Sequence, residues 1–420
     1  MCRSSFDGWP RSNAIVADDL PRHDVVVVGA GPAGLAAAVA CTRAGLSVRV
    51  LATDPAGVWP ATYGCWVDEI EPLGLAGCLH RRWDDVRAVG ERDHQLASAY
   101  GVFDNVALQG ALLEPLGGMT IAGQMVSIGV DDRGFSVDTA DHQRLLAAIV
   151  VDARGPAAIC SIPFGSGPRQ RAYGITARFD RSPIDPGTCV FMDWSAPFPS
   201  AVSSDDGADA TFLYGFDLGD EVAFVEETSL ARSPAMEFDE LRDRLTARLE
   251  RTGSRVIETI ATEMVDIPMR AGVPGPGPAL AFGSGGGQLH PATGYSVAAS
   301  LRAASRLASA IAGGRAEGLV GERLAAMAWD ALWPRRARRT RALHDYGLAS
   351  LLRLTPAETG RFFDAFFAAP HDLWRSYLDI TAGPRQVAEL MRRVFAGSDR
   401  DVRRSLLGGD HRLLIRSISG

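Results

Sequence analysis

The stretch Val25–Gly34, VVVVGAGPAG, joins four valines to a glycine loop with the spacing GxGxxG at Gly29, Gly31 and Gly34. In a strand, turn and helix unit, the first glycine permits the tight turn, the second lets the backbone approach a pyrophosphate, and the third lets the helix pack on the sheet. A helical pattern follows, and a second strand is predicted over 46–51. The sequence therefore predicts a Rossmann-like unit that holds FAD or NAD(P) at Gly29, Gly31, Pro32, Ala33 and Gly34.

The composition limits the class of protein. The 420 residues are 46% hydrophobic and 22% charged, which is typical of a globular chain with two or three domains. The net charge of −7 argues against nucleic acid as a partner, because phosphate-binding proteins normally carry excess positive charge. The first 21 residues lack the apolar core of a signal peptide, and no run of about 18 apolar residues occurs. We therefore expect a cytoplasmic protein without a membrane span.

The cysteines are scattered, without CxxC pairs or metal-ligand spacing: Cys2, Cys41, Cys65, Cys78, Cys160 and Cys189. This pattern predicts reduced thiols, in agreement with a cytoplasmic location. It predicts neither a disulfide nor a metal site.

Later strands fall into two groups. The apolar run 147–152 ends at Asp152, and it is either a strand that returns to the cofactor sheet or an ordinary buried strand. Four β-rich runs then predict a separate antiparallel sheet, the last two as a hairpin: 172–180, 189–194, 211–216 and 221–230. An amphipathic helix is predicted over 237–252, and the pattern is helical beyond residue 320.

The stretch Phe282–Leu301, FGSGGGQLHPATGYSVAASL, combines a glycine cluster with the start of a long helix. Glycines admit a flavin close to the backbone, and a helix N-terminus facing the N1/C2-carbonyl edge favours an anionic reduced flavin. With the glycine loop and the strand ending at Asp152, this stretch completes the three separated pieces of an FAD site. The alternative is a plain glycine-rich turn before a core helix.

Four motifs resemble, in order and spacing, those of the flavin-dependent lycopene β-cyclase family of plants and bacteria: WPATYGCWVDEIE (Trp59–Glu71), FVEETSL (Phe224–Leu230), IPM (Ile267–Met269) and HPATGYSVAASL (His290–Leu301). The resemblance runs from about residue 23 to about residue 380. It implies a redox-neutral cyclisation of the linear ends of lycopene or γ-carotene to β rings through a carbocation. It also implies FAD acting in its reduced form, with NAD(P)H as the reductant.

The expected fold is α/β, with a Rossmann-like FAD-binding domain of the glutathione-reductase type. The expected parts are a flexible tail (1–21), a discontinuous FAD-binding domain (22–165 with 267–320), an antiparallel β substrate domain (166–266) and a helical C-terminal region (321–420).

Glu226 and Glu227, on the predicted strand 221–230, are the candidate acids. An alkene is a very weak base, so its acid must be held protonated in a dry, apolar cavity. Neighbours on a strand point to opposite faces, so only one glutamate can be the main acid. Glu226 shares its face with Phe224 and Glu227 shares its face with Val225, so alternation does not choose between them. The resemblance implies Glu226, and the alternative for both is a solvated strand surface.

For each of the other candidate site residues, the sequence allows two different roles. Asp68 and Glu69 form a second acidic pair, with either a direct catalytic part or a capping or salt-bridging role. Trp66 and Phe224 are predicted to line the substrate cavity, where the ring of Trp66 could face a cation, although a buried tryptophan is commonly core. His290 either contacts the flavin or substrate, or is a structural histidine with satisfied hydrogen bonds.

Beyond the glycine loop, the residues expected at the cofactor are Asp54, Asp152, Gly283, His290, Pro291, Thr293, Gly294 and Tyr295. Two positions depart from the family pattern. Ala52 stands where many relatives have a ribose-binding acid, and Asp54 is the expected substitute. Asn105, after Asp104, stands where relatives have an arginine, so an arginine contact near the cofactor is expected to be missing. Both departures predict altered FAD affinity and unaltered chemistry.

Aromatic residues recur at helical spacing near the C-terminus: Phe362, Phe363, Phe366, Phe367, Trp374 and Tyr377. These aromatic residues could line a substrate tunnel or contact a bilayer. The alternative is an ordinary helical core. Five arginines follow Pro334, facing either anionic headgroups or acidic side chains: Arg335, Arg336, Arg338, Arg339 and Arg341. A lipophilic carotenoid substrate and peripheral membrane contact are expected, and the oligomeric state is left open.

Two other functions stay open at this point. One is a flavin monooxygenase or prenyl reductase of the same fold, which would oxidise NAD(P)H in proportion to its product. The other is a carotenoid-binding flavoprotein that binds lycopene without turnover.

Overall fold

The computed structural model describes residues 20–158, 167–195, 210–269, 272–409 and 412–413. The expected tail 1–21 lies almost wholly outside the described residues, as do Cys2 and Cys160. The strands are β1 (Arg22–Val28), β2 (Val48–Ala52), β3 (Gly64–Trp66), β4 (Leu79–Trp83), β5 (Asp85–Val89), β6 (Asp93–Leu96), β7 (Tyr100–Phe103), β8 (Thr120–Ala122), β9 (Met125–Asp131), β10 (Gly134–Thr139), β11 (Arg144–Asp152), β12 (Arg169–Phe179), β13 (Thr188–Asp193), β14 (Thr211–Gly219), β15 (Val222–Arg232), β16 (Val256–Pro268) and β17 (Leu280–Ala281).

Helices dominate the C-terminal region beyond residue 320, as predicted. The helices are α1 (Pro32–Arg43), α2 (Val67–Ile70), α3 (Asn105–Leu113), α4 (Phe238–Thr252), α5 (Val297–Ala316), α6 (Gly321–Leu332), α7 (Arg335–Leu351), α8 (Pro356–Phe367), α9 (His371–Leu378), α10 (Pro384–Gly397) and α11 (Arg400–Leu407). Within the described ranges, none of these helices has both the length and the apolar character needed to cross a bilayer.

The first sheet has the strand order β8-β2-β1-β11-β10-β9, with β17 beside β11. Strands β2, β1 and β11 run parallel, and Val25–Val28 of β1 are buried, as expected for a central strand covered on both faces. Helices α1, α3, α5 and α6 share a hydrophobic core with this sheet. The Rossmann-like architecture predicted from the glycine loop is thereby confirmed.

The second sheet has the strand order β16-β12-β15-β14-β13-β5-β6. Strands β14 and β15 form the predicted hairpin, and β12 pairs antiparallel with β15 and β16. The expected domain boundaries need correction, because β5 and β6 belong to this sheet although they lie within 22–165. Strand β5 pairs with β13, far along the chain, and such a pairing leaves no local sequence signal. Strand β16 also continues past the expected boundary at residue 266.

The two faces of the second sheet pack against different elements. Helix α4 covers one face, where Leu245 and Leu249 pack on β12 and β15. The other face shares an aromatic-rich core with the small sheet β3-β7-β4 and helices α7 to α10. Most of the C-terminal aromatic cluster is buried there, which favours the helical-core alternative over bilayer contact: Phe363, Phe366, Phe367, Trp374 and Tyr377.

Candidate functional site

A cavity of about 360 Å³ lies where the second sheet meets the segment 61–64 and the turn before α5. Residues from all four motifs of the family resemblance line it. Its remaining walls are largely aromatic, with contributions from Tyr100, Phe191, Phe212 and Tyr214. Motifs that are far apart in the chain therefore converge on one apolar cavity, which we call the main cavity.

Glu226 lies on β15, and its side chain forms part of the wall of the main cavity. The residue is only 9% exposed, and its Oε1 accepts a hydrogen bond from the Thr228 hydroxyl at 2.7 Å. Burial raises the pKa of Glu226 to about 8; the Thr228 hydrogen bond lowers it, and the charge of Glu263 raises it further. The carboxyl therefore keeps its proton at neutral pH, as an acid facing an apolar cavity must.

Glu227 points to the opposite face of β15 and does not reach the main cavity. It is fully buried, and Arg248 donates two hydrogen bonds to its carboxylate, at 2.7 and 2.9 Å. The Thr211 hydroxyl donates a third, at 2.5 Å. The structure thus separates the two candidate acids, and the inclusion of Glu227 with the catalytic residues needs correction: its carboxylate anchors α4 to the sheet.

Three tyrosine hydroxyls meet at the aromatic side of the main cavity. The hydroxyls of Tyr100 and Tyr295 lie 2.6 Å apart, and Tyr214 donates to Tyr100 at 3.2 Å. Burial raises the pKa of all three, so they stay neutral. The ring of Phe191 stacks on Tyr295 with centroids 6.2 Å apart. These contacts fix the ring faces that a substrate in the cavity would meet.

Trp66 lies behind this aromatic wall, and Phe224 lines the cavity as predicted. The Trp66 ring is 2% exposed and packs against Tyr100 and Phe191, with centroids 5.1 and 4.9 Å away. The guanidinium carbon of Arg375 lies 4.7 Å from its centroid. The prediction that Trp66 lines the cavity therefore needs correction, because its ring supports the lining residues from the core.

Asp68 and Glu69 lie in the short helix α2 and face arginines. Arg375 donates to Asp68 Oδ1 at 2.7 Å, and an Nη atom of Arg302 lies 3.6 Å from Glu69 Oε1. Burial raises the pKa of Glu69 to about 7, against the opposing effect of Arg375 and Arg302. Neither carboxylate lines the main cavity. Their positions agree with the salt-bridging alternative.

His290 holds the turn of the HPATGY motif from within the core. It is fully buried; its Nδ1 accepts from the Ala292 backbone N–H at 3.2 Å, and its Nε2 lies 2.8 Å from the Tyr377 carbonyl oxygen. Burial lowers the pKa of His290 to about 4, so the ring is neutral and Nε2 carries the donor hydrogen. The structural alternative fits this geometry. The following residues Thr293, Gly294 and Tyr295 do line the main cavity.

Glu263 is a second carboxyl in the wall of the main cavity, and no sequence pattern predicts it. It lies on the edge strand β16, and its Oε1 accepts the Thr62 backbone N–H at 3.0 Å. The motif Ile267–Met269 ends the same strand. That motif could have drawn attention to β16, but the register that turns Glu263 toward Glu226 depends on pairing with β12.

A second cavity, of about 350 Å³, borders the glycine loop at the end of β1. Gly29 has φ +110°, and a Cβ there would lie 2.7 Å from the Ala153 carbonyl oxygen. Gly31 faces open space at the start of α1, where an anion could approach the helix N-terminus. A Cβ on Gly283 would lie 2.7 Å from Ala33 Cβ, so the late glycine turn packs directly on α1. The loop fits a diphosphate between these pieces.

Arg154 supplies a cation to this second cavity. It donates to both carboxylate oxygens of the buried Asp152, at 3.0 and 2.8 Å. Asn105, where an arginine was expected, donates to the carbonyl oxygens of Trp59 and Ala61, each at 2.8 Å. Asn105 therefore brings no positive charge to this cavity, whereas Arg154, two residues after the end of β11, does.

Asp54 borders the same cavity, close to the end of β2. Its Oδ1 accepts the Ala56 backbone N–H at 3.3 Å, and its side chain is exposed. In the described part of the chain, no group of three or more His, Cys, Asp or Glu side chains is arranged to hold a metal ion.

Residues 24–403 match the family model described as "Lycopene cyclase protein". The chain belongs to the lycopene cyclase family. It is 37% identical over 394 residues to the lycopene beta cyclase of Synechococcus elongatus, covering 91% of this chain and 95% of that relative. The match spans both sheets and most of the helical region.

The fold is also that of known flavoproteins. A geranylgeranyl bacteriochlorophyll reductase-like protein from Thermoplasma acidophilum has a TM-score of 0.70 at 14% identity, covering 92% of this chain and 98% of that one. PqsL of Pseudomonas aeruginosa, a probable FAD-dependent monooxygenase, has a TM-score of 0.56 at 15% identity, covering 89% and 100%. At these identities the likeness is one of fold.

Proposed function

We propose that this member of the lycopene cyclase family is a lycopene β-cyclase, which closes the linear ends of a lycopene-like carotene into β rings without net redox change. The observation that carries the proposal is the buried carboxyl of Glu226 in the wall of a cavity lined by aromatic rings, where burial raises its pKa to about 8. A buried acid of raised pKa is the kind of donor that a weakly basic alkene needs. Family membership and the convergence of the four motifs support the same reaction.

The chain's own residues have three tasks in this reaction. Glu226 donates its proton to the terminal double bond, which leaves a tertiary cation. The neighbouring double bond attacks that cation and closes a six-membered ring, and loss of a ring proton then forms the ring double bond. The rings of Phe224 and Tyr214 line the cavity in which the positive charge would form, and the apolar walls would exclude the water that would trap it as an alcohol.

FAD is the proposed cofactor. The glycine loop Gly29–Gly31 and Arg154 would hold its diphosphate, and Thr293, Gly294 and Tyr295 would lie beside its ring system. Helix α5 begins there with no side-chain cap and no acid in its first turn, so its N–H groups remain available to an anion. Bound FAD, reduced by NAD(P)H, would supply a fixed negative charge near the cation.

We further propose that the protein works in the cytoplasm, in peripheral contact with the membrane that holds its lipophilic substrate. Edge strand β16 borders the main cavity through Glu263 and Val265. The same strand exposes three large apolar side chains: Ile257, Ile260 and Met264. Vesicle flotation tests this, since replacing Ile260 and Met264 with serine should lower the bound fraction without unfolding the protein.

Expression of the chain in a lycopene-accumulating bacterium, followed by chromatography and mass analysis of the pigments, tests the reaction. A ring-bearing product isobaric with lycopene supports cyclisation. A product of altered mass would indicate a reductase or monooxygenase, and unchanged lycopene bound to the protein would indicate a carrier. Either result would overturn the proposal.

A further inference from the structure

Four residues lie in one row across four neighbouring strands of the second sheet. Glu263 on β16 is opposite Gly174 on β12, Gly174 is opposite Glu226 on β15, and Glu226 is opposite Tyr214 on β14. Directly opposed residues project to the same face of a sheet. The two glutamates and Tyr214 accordingly line the same cavity.

Gly174 lies between the two glutamates in this row, and the tip of the Phe224 ring packs over it. A Cβ at this position would lie 3.0 Å from Phe224 Cζ and 3.2 Å from Glu226 Cβ. The backbones of Glu226 and Glu263 are separated by two strand spacings of about 4.8 Å, roughly 10 Å in all. A carotene end bound in the main cavity would therefore meet two carboxyls on the same wall, one from each strand.

The two carboxyls are held differently. The carboxyl of Glu226 is buried and accepts a hydroxyl hydrogen bond from Thr228. The carboxyl of Glu263 is partly exposed and accepts the backbone N–H of Thr62 at 3.0 Å. The row therefore sets a buried carboxyl beside a partly exposed one on the same wall of the cavity.

The other polar groups around the main cavity are less suited to accept a proton. Asp266 forms ion pairs with Arg169 and, at 3.2 Å, with Arg171. The hydroxyls of Tyr100 and Tyr214 are bonded within the tyrosine group and stay neutral because burial raises their pKa. Glu263 is left as the carboxyl that lines the main cavity without an arginine partner among the described contacts.

We propose that Glu263 is the catalytic base: it accepts the proton that the new ring loses, while Glu226 supplies the proton that starts ring closure. This inference rests on the proposed cyclase function. The Glu226 O–H bond breaks as a C–H bond forms on the terminal alkene, and one ring C–H bond then breaks to leave its electron pair in the ring double bond. That proton passes to Glu263, so the product is an isomer of the substrate. Exchange with solvent restores both carboxyls.

Isotope exchange in D₂O tests the division of roles, using the full chain with FAD, NADPH and lycopene in phospholipid vesicles. Wild-type protein should place one deuterium in each ring. In Glu263→Gln, which keeps an acceptor for the Thr62 N–H, ring formation should slow at least about tenfold. Unreacted lycopene recovered from this variant should contain deuterium, because a cation without its base returns a proton to Glu226. Glu226→Gln should give neither product nor label.

Two further variants control for structural effects. Glu258→Gln changes an exposed carboxylate on the same strand and should behave as wild type. Glu263→Asp keeps a carboxylate and should retain more turnover than Glu263→Gln. The inference is overturned if Glu263→Gln forms rings at the wild-type rate, if it is slow with no deuterium in recovered lycopene, or if Gln and Asp are equally impaired. Absence of rings in the wild type would instead overturn the proposed function.

Discussion

The two faces of the second sheet place neighbouring glutamates in opposite surroundings. On the cavity face, Glu226 is buried beside aromatic rings with only a hydroxyl for a partner, and its pKa rises to about 8. On the helix face, Glu227 is buried against Arg248, which donates two hydrogen bonds to it. Two glutamates of one strand thus differ in chemistry: the one on the cavity face retains its proton, and the one on the helix face forms an ion pair with an arginine. Burial alone does not decide the chemistry of a carboxyl; the partner does.

The largest effect should follow from removing the acid on the cavity face. Glu226→Gln keeps the shape of the side chain and its contact with Thr228, but it has no acidic proton to give. We expect cyclisation to fall at least about 100-fold, within the usual range for loss of a general acid. Flavin absorbance and circular dichroism should match the wild type. Retention of full activity with flavin bound would contradict the assignment of Glu226.

On the helix face, the effect should appear in stability. Glu227→Gln removes the carboxylate that accepts two hydrogen bonds from Arg248 and leaves only the more distant Asp193, 3.8 Å away. Breaking a buried pair costs about 3 kcal/mol of unfolding free energy. Denaturant unfolding measures this change, with activity given per folded molecule, which should stay within a few-fold of wild type. Glu240→Gln is the matched control, because its pair with Arg244 is partly exposed and should contribute only about 0.5 kcal/mol. A Glu227→Gln variant that is as stable as wild type but inactive would contradict the structural role assigned to Glu227.

Crowding the residues around Gly174 should affect only the cavity face. In Gly174→Ala the added methyl group would lie 3.0 Å from the Phe224 ring and crowd Glu226. We expect roughly a tenfold loss of turnover through misplacement of the substrate or acid. Gly110→Ala is the control, since no atom lies within 4 Å of a Cβ at that position. Unchanged turnover in Gly174→Ala would show that the close packing of Phe224 and Glu226 around Gly174 does not position the acid.

A smaller effect is expected in the pH dependence of stability. The folded pKa of Glu226, about 8, lies above the ordinary value of 4.5, so the folded state binds this proton more tightly than the unfolded state. The stabilisation is complete below pH 4.5 and is lost as the pH rises through 8. Glu226→Gln should therefore lose less stability than wild type between these values in denaturant melts. Parallel curves for the two proteins would contradict the raised pKa.

Local patterns in the sequence predict much of the fold. The valine run and the GxGxxG spacing predict β1 and α1 because their constraints act within a dozen residues, and the hairpin of β14 and β15 follows from alternation across a short turn. The place of β5 and β6 in the second sheet is set by parallel pairing with β13, to which no local pattern points.

In the candidate site, too, local patterns predict some features and tertiary packing decides the others. Alternation predicts that Glu226 and Glu227 face opposite ways, but it does not say which face holds Arg248. That arginine lies on α4, and its partner is chosen by packing. Glu263 reaches the cavity only through the register of β16 on β12. Trp66 and His290 are in the right motifs, yet packing places them behind the wall of the main cavity.

The central claim is that Glu226 is protonated in the main cavity at neutral pH, because burial raises its pKa to about 8, whereas Glu227, beside it in the chain, is paired with Arg248. Infrared difference spectra of the flavin-loaded wild type against Glu226→Gln and against Glu227→Gln test this directly as the pH is raised. The account predicts a protonated-carboxyl band that is lost only in Glu226→Gln and that fades in the wild type near pH 8. Absence of that band at neutral pH, or its loss in Glu227→Gln alone, would contradict the account.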